Sequence, residues 1–213
     1  MPGTLALNAL EDLAGGFQNI DAECYRRHGQ DPTRPIVGLG PAGARWCFFG
    51  RDPGEQEVRL QRPFVGPAGQ KIRAVMAGCG LGDGDIYWMN TMPFKPVGNE
   101  AWSMAARRQC RPALLDLLAM WQGTEVIAFG EAAFKWFGLG DAAVRRSIDQ
   151  FWKRPDRYEA QLPVSLELGG VERRLVLCPV PHPSGANAAW VSRFPGLLGA
   201  RLGHAAPDAE GRP

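Results

Sequence analysis

Phe48-Phe49-Gly50-Arg51-Asp52-Pro53-Gly54 is the stretch from which the rest of this chain is read. An apolar, β-rich run stops on a glycine, exposes one carboxylate, and turns on a proline and a second glycine. After a short acidic segment comes Arg62-Pro63-Phe64-Val65-Gly66, which presents an aromatic ring just before a predicted helix. Far downstream a second apolar run ends in Pro181-His182-Pro183-Ser184-Gly185. Loops of this kind at the ends of parallel strands face one another across a sheet. One brings an acid and the other a histidine.

On either side of this stretch the pattern continues: four short apolar runs recur at residues 46–50, 86–90, 125–130 and 174–180. Helical patterns separate them at 68–79, 102–122, 131–137 and 141–151, and a single amphipathic helix is predicted over 5–27. Strands alternating with helices predict an α/β fold: a three-layer α/β/α sandwich around a mainly parallel, four-stranded sheet. Residues 162–168 and 172–177, separated by Gly169-Gly170, read as a hairpin that lengthens the last strand. The expected organisation is one domain over 1–204 with a small, polar tail at 205–213. In open α/β sheets ligands sit beyond the carboxyl ends of the strands. The loops there span 50–67, 90–100, 130–131 and 179–189, and every distinctive residue of the chain falls in one of them.

Composition narrows the class without deciding it. Of 213 residues 45% are hydrophobic and 22% charged, and the formal net charge is +2, as expected for a soluble globular protein with no pronounced pull on an anionic partner. No apolar run approaches the ~18 residues of a membrane span, and no signal-peptide pattern opens the chain, so the expected compartment is the cytoplasm. The five cysteines, Cys24, Cys47, Cys79, Cys110 and Cys178, form no Cys-x-x-Cys pair, which indicates neither a disulfide framework nor a zinc ribbon. No metal site is expected. No Gly-x-Gly-x-x-Gly or phosphate-loop signature follows the first strand, which disfavours a nucleotide-binding protein.

Taken together the loops resemble the uracil-DNA glycosylase superfamily. Residues 62–70, Arg-Pro-Phe-Val-Gly-Pro-Ala-Gly-Gln, are similar to a segment of its iron–sulfur branch, family four. So are Asn90-Thr91-Met92-Pro93-Phe94-Lys95-Pro96-Val97-Gly98-Asn99, Cys110-Arg111-Pro112 and His182-Pro183-Ser184. Two departures stand out. That branch holds its cluster with four cysteines, two near the N-terminus and one in the Asn…Gly-Asn loop; here the N-terminal region offers only Cys24, and Phe94 fills the loop position. The chain is therefore expected to lack an iron–sulfur cluster, with apolar packing around Phe94 and Trp102 in its place. Secondly, Gly50-Arg51-Asp52-Pro53-Gly54 places Asp52 where the family-one enzymes resemble it with a water-activating aspartate, while Gly54 stands where they carry a tyrosine.

The resemblance implies a monofunctional enzyme, expected to be a monomer with no obligate protein partner and no membrane contact. Such an enzyme would flip uracil out of DNA and hydrolyse the N-glycosidic bond, leaving an abasic site. Asp52 would orient and deprotonate the attacking water, although an Asp-Pro pair also reads as a turn cap. His182, neutral, would donate to the uracil oxygen that gains charge, a contact worth about 3–4 kcal/mol; His28 and His204 are expected to be exposed. Asn90 would pair with uracil O4 and N3–H, or simply end its strand. Phe64 would stack on the base for about 1–3 kcal/mol. Gly50, Arg51 and Gly54 would complete the base pocket. Pro183, Ser184, Gly185, Asn187 and Arg193 would meet the DNA, with Arg59, Arg62 and Lys71 as further basic contacts. The alternatives are a glycosylase for thymine or hypoxanthine, and an inactive DNA-binding module.

Overall fold

The computed structural model describes residues 2–184, 190 and 192–203. Strand β1 (Trp46–Gly50) lies between β2 (Ile86–Asn90) and β3 (Glu125–Phe129) and pairs in parallel with both. On the far side of β3 runs β5 (Val171–Val180), also parallel. Its partner β4 (Leu162–Leu168) closes the edge antiparallel, giving the order β2-β1-β3-β5-β4. The sheet thus has five strands, not the four expected. The hairpin supplies the extra one: Gly169 and Gly170 take φ of 61° and 78°, the left-handed pair that a two-residue hairpin turn demands. β4 then pairs along its whole length from Leu162↔Leu177 to Leu168↔Val171.

Strands β1, β2 and β3 are almost wholly buried because both faces of the sheet are covered. Cys47, Phe49, Tyr87, Met89, Val126 and Ala128 face α1 (Pro2–Ala14), α5 (Met104–Ala119), α6 (Glu131–Trp136) and α7 (Ala142–Trp152). Trp46, Phe48, Ile86, Trp88, Ile127 and Phe129 face α4 (Pro67–Gly78) and α8 (Phe194–Arg201). Each fully buried phenylalanine contributes about 1.5–3 kcal/mol by leaving water, so the runs that mark the strands also build both cores. β4 keeps one wet face: Val164, Leu166 and Leu168 are buried while Pro163, Ser165 and Glu167 are exposed.

The single helix expected over 5–27 is two. Gly15 and Gly16 end α1 at Ala14, and Asp21 starts α2 (Ala22–Arg27) by accepting the Cys24 N–H at 3.0 Å. α5 (Met104–Ala119) starts later than the expected 102 because Ser103 Oγ caps it by accepting the Ala106 N–H at 3.1 Å, and it ends short of the expected 122. The expected tail lies outside the described residues. No helix among them is long and apolar enough to cross a membrane.

The chain leaves β1 for β2 on one side and returns to β3 on the other, so the strand order reverses between β1 and β3. That reversal opens a crevice beyond their carboxyl ends.

Candidate active site

A cavity of about 610 Å³ occupies the crevice. The loops after β1, β2, β3 and β5 line it, bringing together Asp52, Phe64, Asn90, His182 and Ser184 with Gly50, Arg51 and Gly54. The end of β2 is stitched onto the end of β1. The Thr91 N–H donates to the Gly50 carbonyl at 2.9 Å and the Met92 N–H to the Arg51 carbonyl at 3.1 Å, and the Thr91 hydroxyl also donates to the latter.

Gly50 is required by close approach. A methyl group there would lie 2.5 Å from Asn90 Oδ1 and 2.6 Å from Phe64 Cζ, so only glycine lets the amide and the ring converge. Phe64 itself has φ of 57°, an uncommon conformation for a bulky residue and of the kind found at functional sites. The Arg73 guanidinium donates to its carbonyl, and its ring packs 5.1 Å from Trp88 and 5.8 Å from Phe129. Asn90 is buried, 8% exposed, at the last position of β2, where it pairs in register with Gly50.

Asp52 keeps only 4% of its side chain exposed, yet it is held by the neighbouring residue. Arg51 donates from Nε to Oδ1 at 2.5 Å and from Nη2 to Oδ2 at 3.1 Å, and Nη2 also reaches the Asn99 carbonyl at 3.1 Å. Burial raises the Asp52 pKa above the ordinary carboxylate value and outweighs the opposing pull of Arg51 and the more distant Arg107. His182 shifts the other way: burial, and then the charge of Arg51, lower its pKa, which favours the neutral imidazole. The cavity therefore holds one carboxylate of raised proton affinity, one neutral imidazole, one buried amide and one aromatic face.

A residue the sequence reading missed ties two of these loops together. Glu57, 8% exposed on α3 (Glu55–Leu60), accepts the Gly66 N–H at 2.6 Å and the Gly54 N–H at 3.0 Å. Its signal in the sequence was the acid three residues after Gly54, the N3 half of a capping box. Arg107, half-buried on α5 near Asp52, was also passed over as a site residue.

The remaining expected DNA contacts scatter. Lys71 donates from Nζ to the Pro183 carbonyl at 3.1 Å, bracing the loop that carries His182. Arg62 pairs with Asp83 at 2.9 Å. Arg193 does not line the cavity; it pairs with Glu159 at 2.8 Å and sits over the Trp190 ring. Gly185 and Asn187 lie outside the described residues. His28, expected to be exposed, is half-buried.

The iron–sulfur cluster implied by the resemblance does not fit the residues present. Phe94, fully buried, occupies the loop position, and the Phe17 ring packs 6.2 Å from Phe94 and 5.5 Å from Trp102. Cys24 and Cys110 are buried thiols whose pKa values burial raises, that of Cys110 to about 12. The Cys47 and Cys178 side chains lie in the cores on opposite faces of the sheet, and Cys79 caps α4. A cluster that takes four thiolates has no such set here.

The family model of the uracil DNA glycosylase superfamily matches residues 37–200. A type-4 uracil-DNA glycosylase of Thermotoga maritima is 30% identical over 105 residues, 49% of this chain and 55% of the relative. Another, from Pyrobaculum aerophilum, is 30% identical over 124 residues, 58% of this chain and 60% of the relative. The chain thus spans little more than half the length of the curated relatives it matches. With more than half of its residues matched to the family model, and with the loops of a parallel sheet gathered at the reversal of strand order, this chain belongs to the uracil DNA glycosylase superfamily.

Proposed function

We propose that the protein is a monofunctional uracil-DNA glycosylase, working without an iron–sulfur cluster on uracil-containing DNA. The observation that carries this reading is the convergence of Asp52, Phe64, Asn90 and His182 on one cavity. The names of the relatives point the same way.

The target base leaves the stack and enters the cavity, where Phe64 supports its face. The Asn90 amide donates to O4 and accepts N3–H, a pattern cytosine cannot satisfy because it carries an amino group at C4 and no N3 proton. As the C1′–N1 bond breaks, its electron pair moves onto the base, and the neutral His182 donates an N–H toward the charge that gathers on the uracil oxygen. Water adds to C1′ as the sugar cation develops. Asp52 takes the proton of that water, and its charge favours the cation. The products are an abasic site and free uracil.

The pairing of Asp52 with Arg51 refines this scheme. An acid held bidentately offers its oxygens poorly to water, and Arg51, 38% exposed, is the partner with freedom to move. A phosphate of the target strand is a better partner for the guanidinium fork. Substrate then draws Arg51 away and exposes Asp52 only when DNA is seated.

Gly54 lines the cavity without a side chain, so a methyl-bearing base is the reading to test beside uracil. The experiment is cleavage of labelled single- and double-stranded oligonucleotides carrying uracil, thymine mismatched with guanine, or hypoxanthine. Alkali-labile breaks at uracil, far faster than at the other two, support the proposal. Breaks confined to thymine or hypoxanthine overturn the choice of base, and binding without breaks at any base overturns the activity.

A further inference from the structure

Away from the cavity, Cys24, His28 and Glu55 converge. One Sγ, one ring nitrogen and one carboxylate oxygen all lie within 4.8 Å of one another, and His28 Nε2 is 3.1 Å from Glu55 Oε1. Cys24 lies in α2 and His28 is its C-cap; four residues apart, they share one face. Glu55 opens α3, against which α2 packs. It is the only group of three or more such donors at this spacing among the described residues.

We propose that these three side chains form a divalent-metal site, selective for zinc, that braces α2 against α3. The donor set carries the argument. Thiolate, imidazole and carboxylate are the ligands zinc takes, and the two anionic donors balance a divalent charge. Zinc bonds of about 2.0–2.3 Å place tetrahedral donors about 3.3–3.8 Å apart, so the three atoms need to close by about 1.5 Å at most. A water completes the fourth position. The nearby cations do not block the site: Lys95 is engaged by Asp21 at 2.8 Å and by the Pro96 carbonyl at 2.9 Å, and Arg27, 57% exposed, can turn to solvent.

The site has a structural consequence. α1 and α2 precede the residues matched by the family model, whereas Glu55 follows directly on Gly54 of the Asp52 loop. Metal there would fasten the N-terminal helices to the base of that loop. The brace is independent of the proposed glycosylase activity and is tested without it.

The full chain, stripped with a chelator, is titrated with cobalt(II) and then with zinc. The expected result is one equivalent of cobalt bound with a thiolate-to-metal charge-transfer band, bleached by zinc, and a melting temperature that rises with zinc. Cys24→Ser and His28→Gln each weaken binding by more than about 10-fold and remove the zinc-dependent rise, while Cys79→Ser changes neither. Should Cys24→Ser fail to fold, His28→Gln at its half-exposed position decides. Absence of the band and of the zinc-dependent rise in the unmutated chain overturns the proposal. Full binding by His28→Gln overturns it equally.

Discussion

Glu57 gives the sharpest perturbation of the site's scaffold. Its two carboxylate oxygens hold the Gly54 and Gly66 N–H groups at 3.0 and 2.6 Å, joining the Asp52 loop to the Phe64 loop. A hydrogen bond to a charged group is worth about 1.5–3 kcal/mol. Glu57→Ala removes two, but both amides border the cavity, where water can replace the lost partner. The expected cost is therefore at the low end, about 3 kcal/mol for the pair. For a domain of this length that lowers the melting temperature by about 6–12 °C. Glu57→Gln keeps one acceptor and turns a donor toward the other amide, for about half the loss. Loosening the loops also misplaces Asp52 and Phe64, so kcat/KM for a uracil oligonucleotide falls by about 10- to 100-fold. Thermal unfolding followed by circular dichroism, with cleavage kinetics on the same samples, reads both effects. Glu57→Ala with unchanged melting and unchanged kinetics refutes the reasoning, as does Glu57→Gln falling as far as Glu57→Ala.

Gly50→Ala drives a methyl group to 2.5 Å from Asn90 Oδ1 and 2.6 Å from Phe64 Cζ; cleavage should fall about 10²-fold while circular dichroism keeps the α/β spectrum. The raised pKa of Asp52 places the acid limb of kcat/KM above the ordinary carboxylate range, and Arg51→Gln, which removes a lowering influence, moves that limb further up in a pH–rate profile. A carboxyl whose folded pKa exceeds its unfolded one contributes stability that is lost as pH rises through the folded value, so Asp52→Asn should melt higher than wild type at neutral pH. Burial pushes the Asp21 pKa up, but the hydrogen bond from Lys95 and the Cys24 N–H bring it below the ordinary value. The stability from that pair is thus present above the unfolded pKa and lost as pH falls through the folded one. Lys95→Met should cost about 3 kcal/mol in urea unfolding at pH 7 and flatten that acid-side loss.

What the sequence disclosed follows from how local each signal is. β1 and β2 were legible to the residue, because a strand covered on both faces reads as an unbroken apolar run between turn residues. The hairpin reading names β5 as the partner of β4, but it treats the pair as one lengthened strand, so the expected count of four omits β4. Apolar spacing over 5–27 predicts one helix, and it carries no signal of the break after Ala14 that separates α1 from α2. At the site, the loop positions of Asp52, Phe64, Asn90 and His182 were legible, and all four line one cavity. Their constraints were not. The Arg51–Asp52 pair depends on which way two adjacent side chains turn, and Glu57 depends on two loops meeting across nine residues. Cys24, His28 and Glu55 meet only because α2 packs on α3, a contact that no spacing in the sequence encodes.

The most direct test of the central claim is single-turnover cleavage of a uracil-containing oligonucleotide by wild type, Asp52→Asn and His182→Ala, with binding measured in parallel. The account predicts abasic sites with wild type, and a loss of about 10²-fold or more for each variant while affinity for the oligonucleotide is retained. Wild-type rates in both variants, or uracil left intact by the wild type, would contradict it.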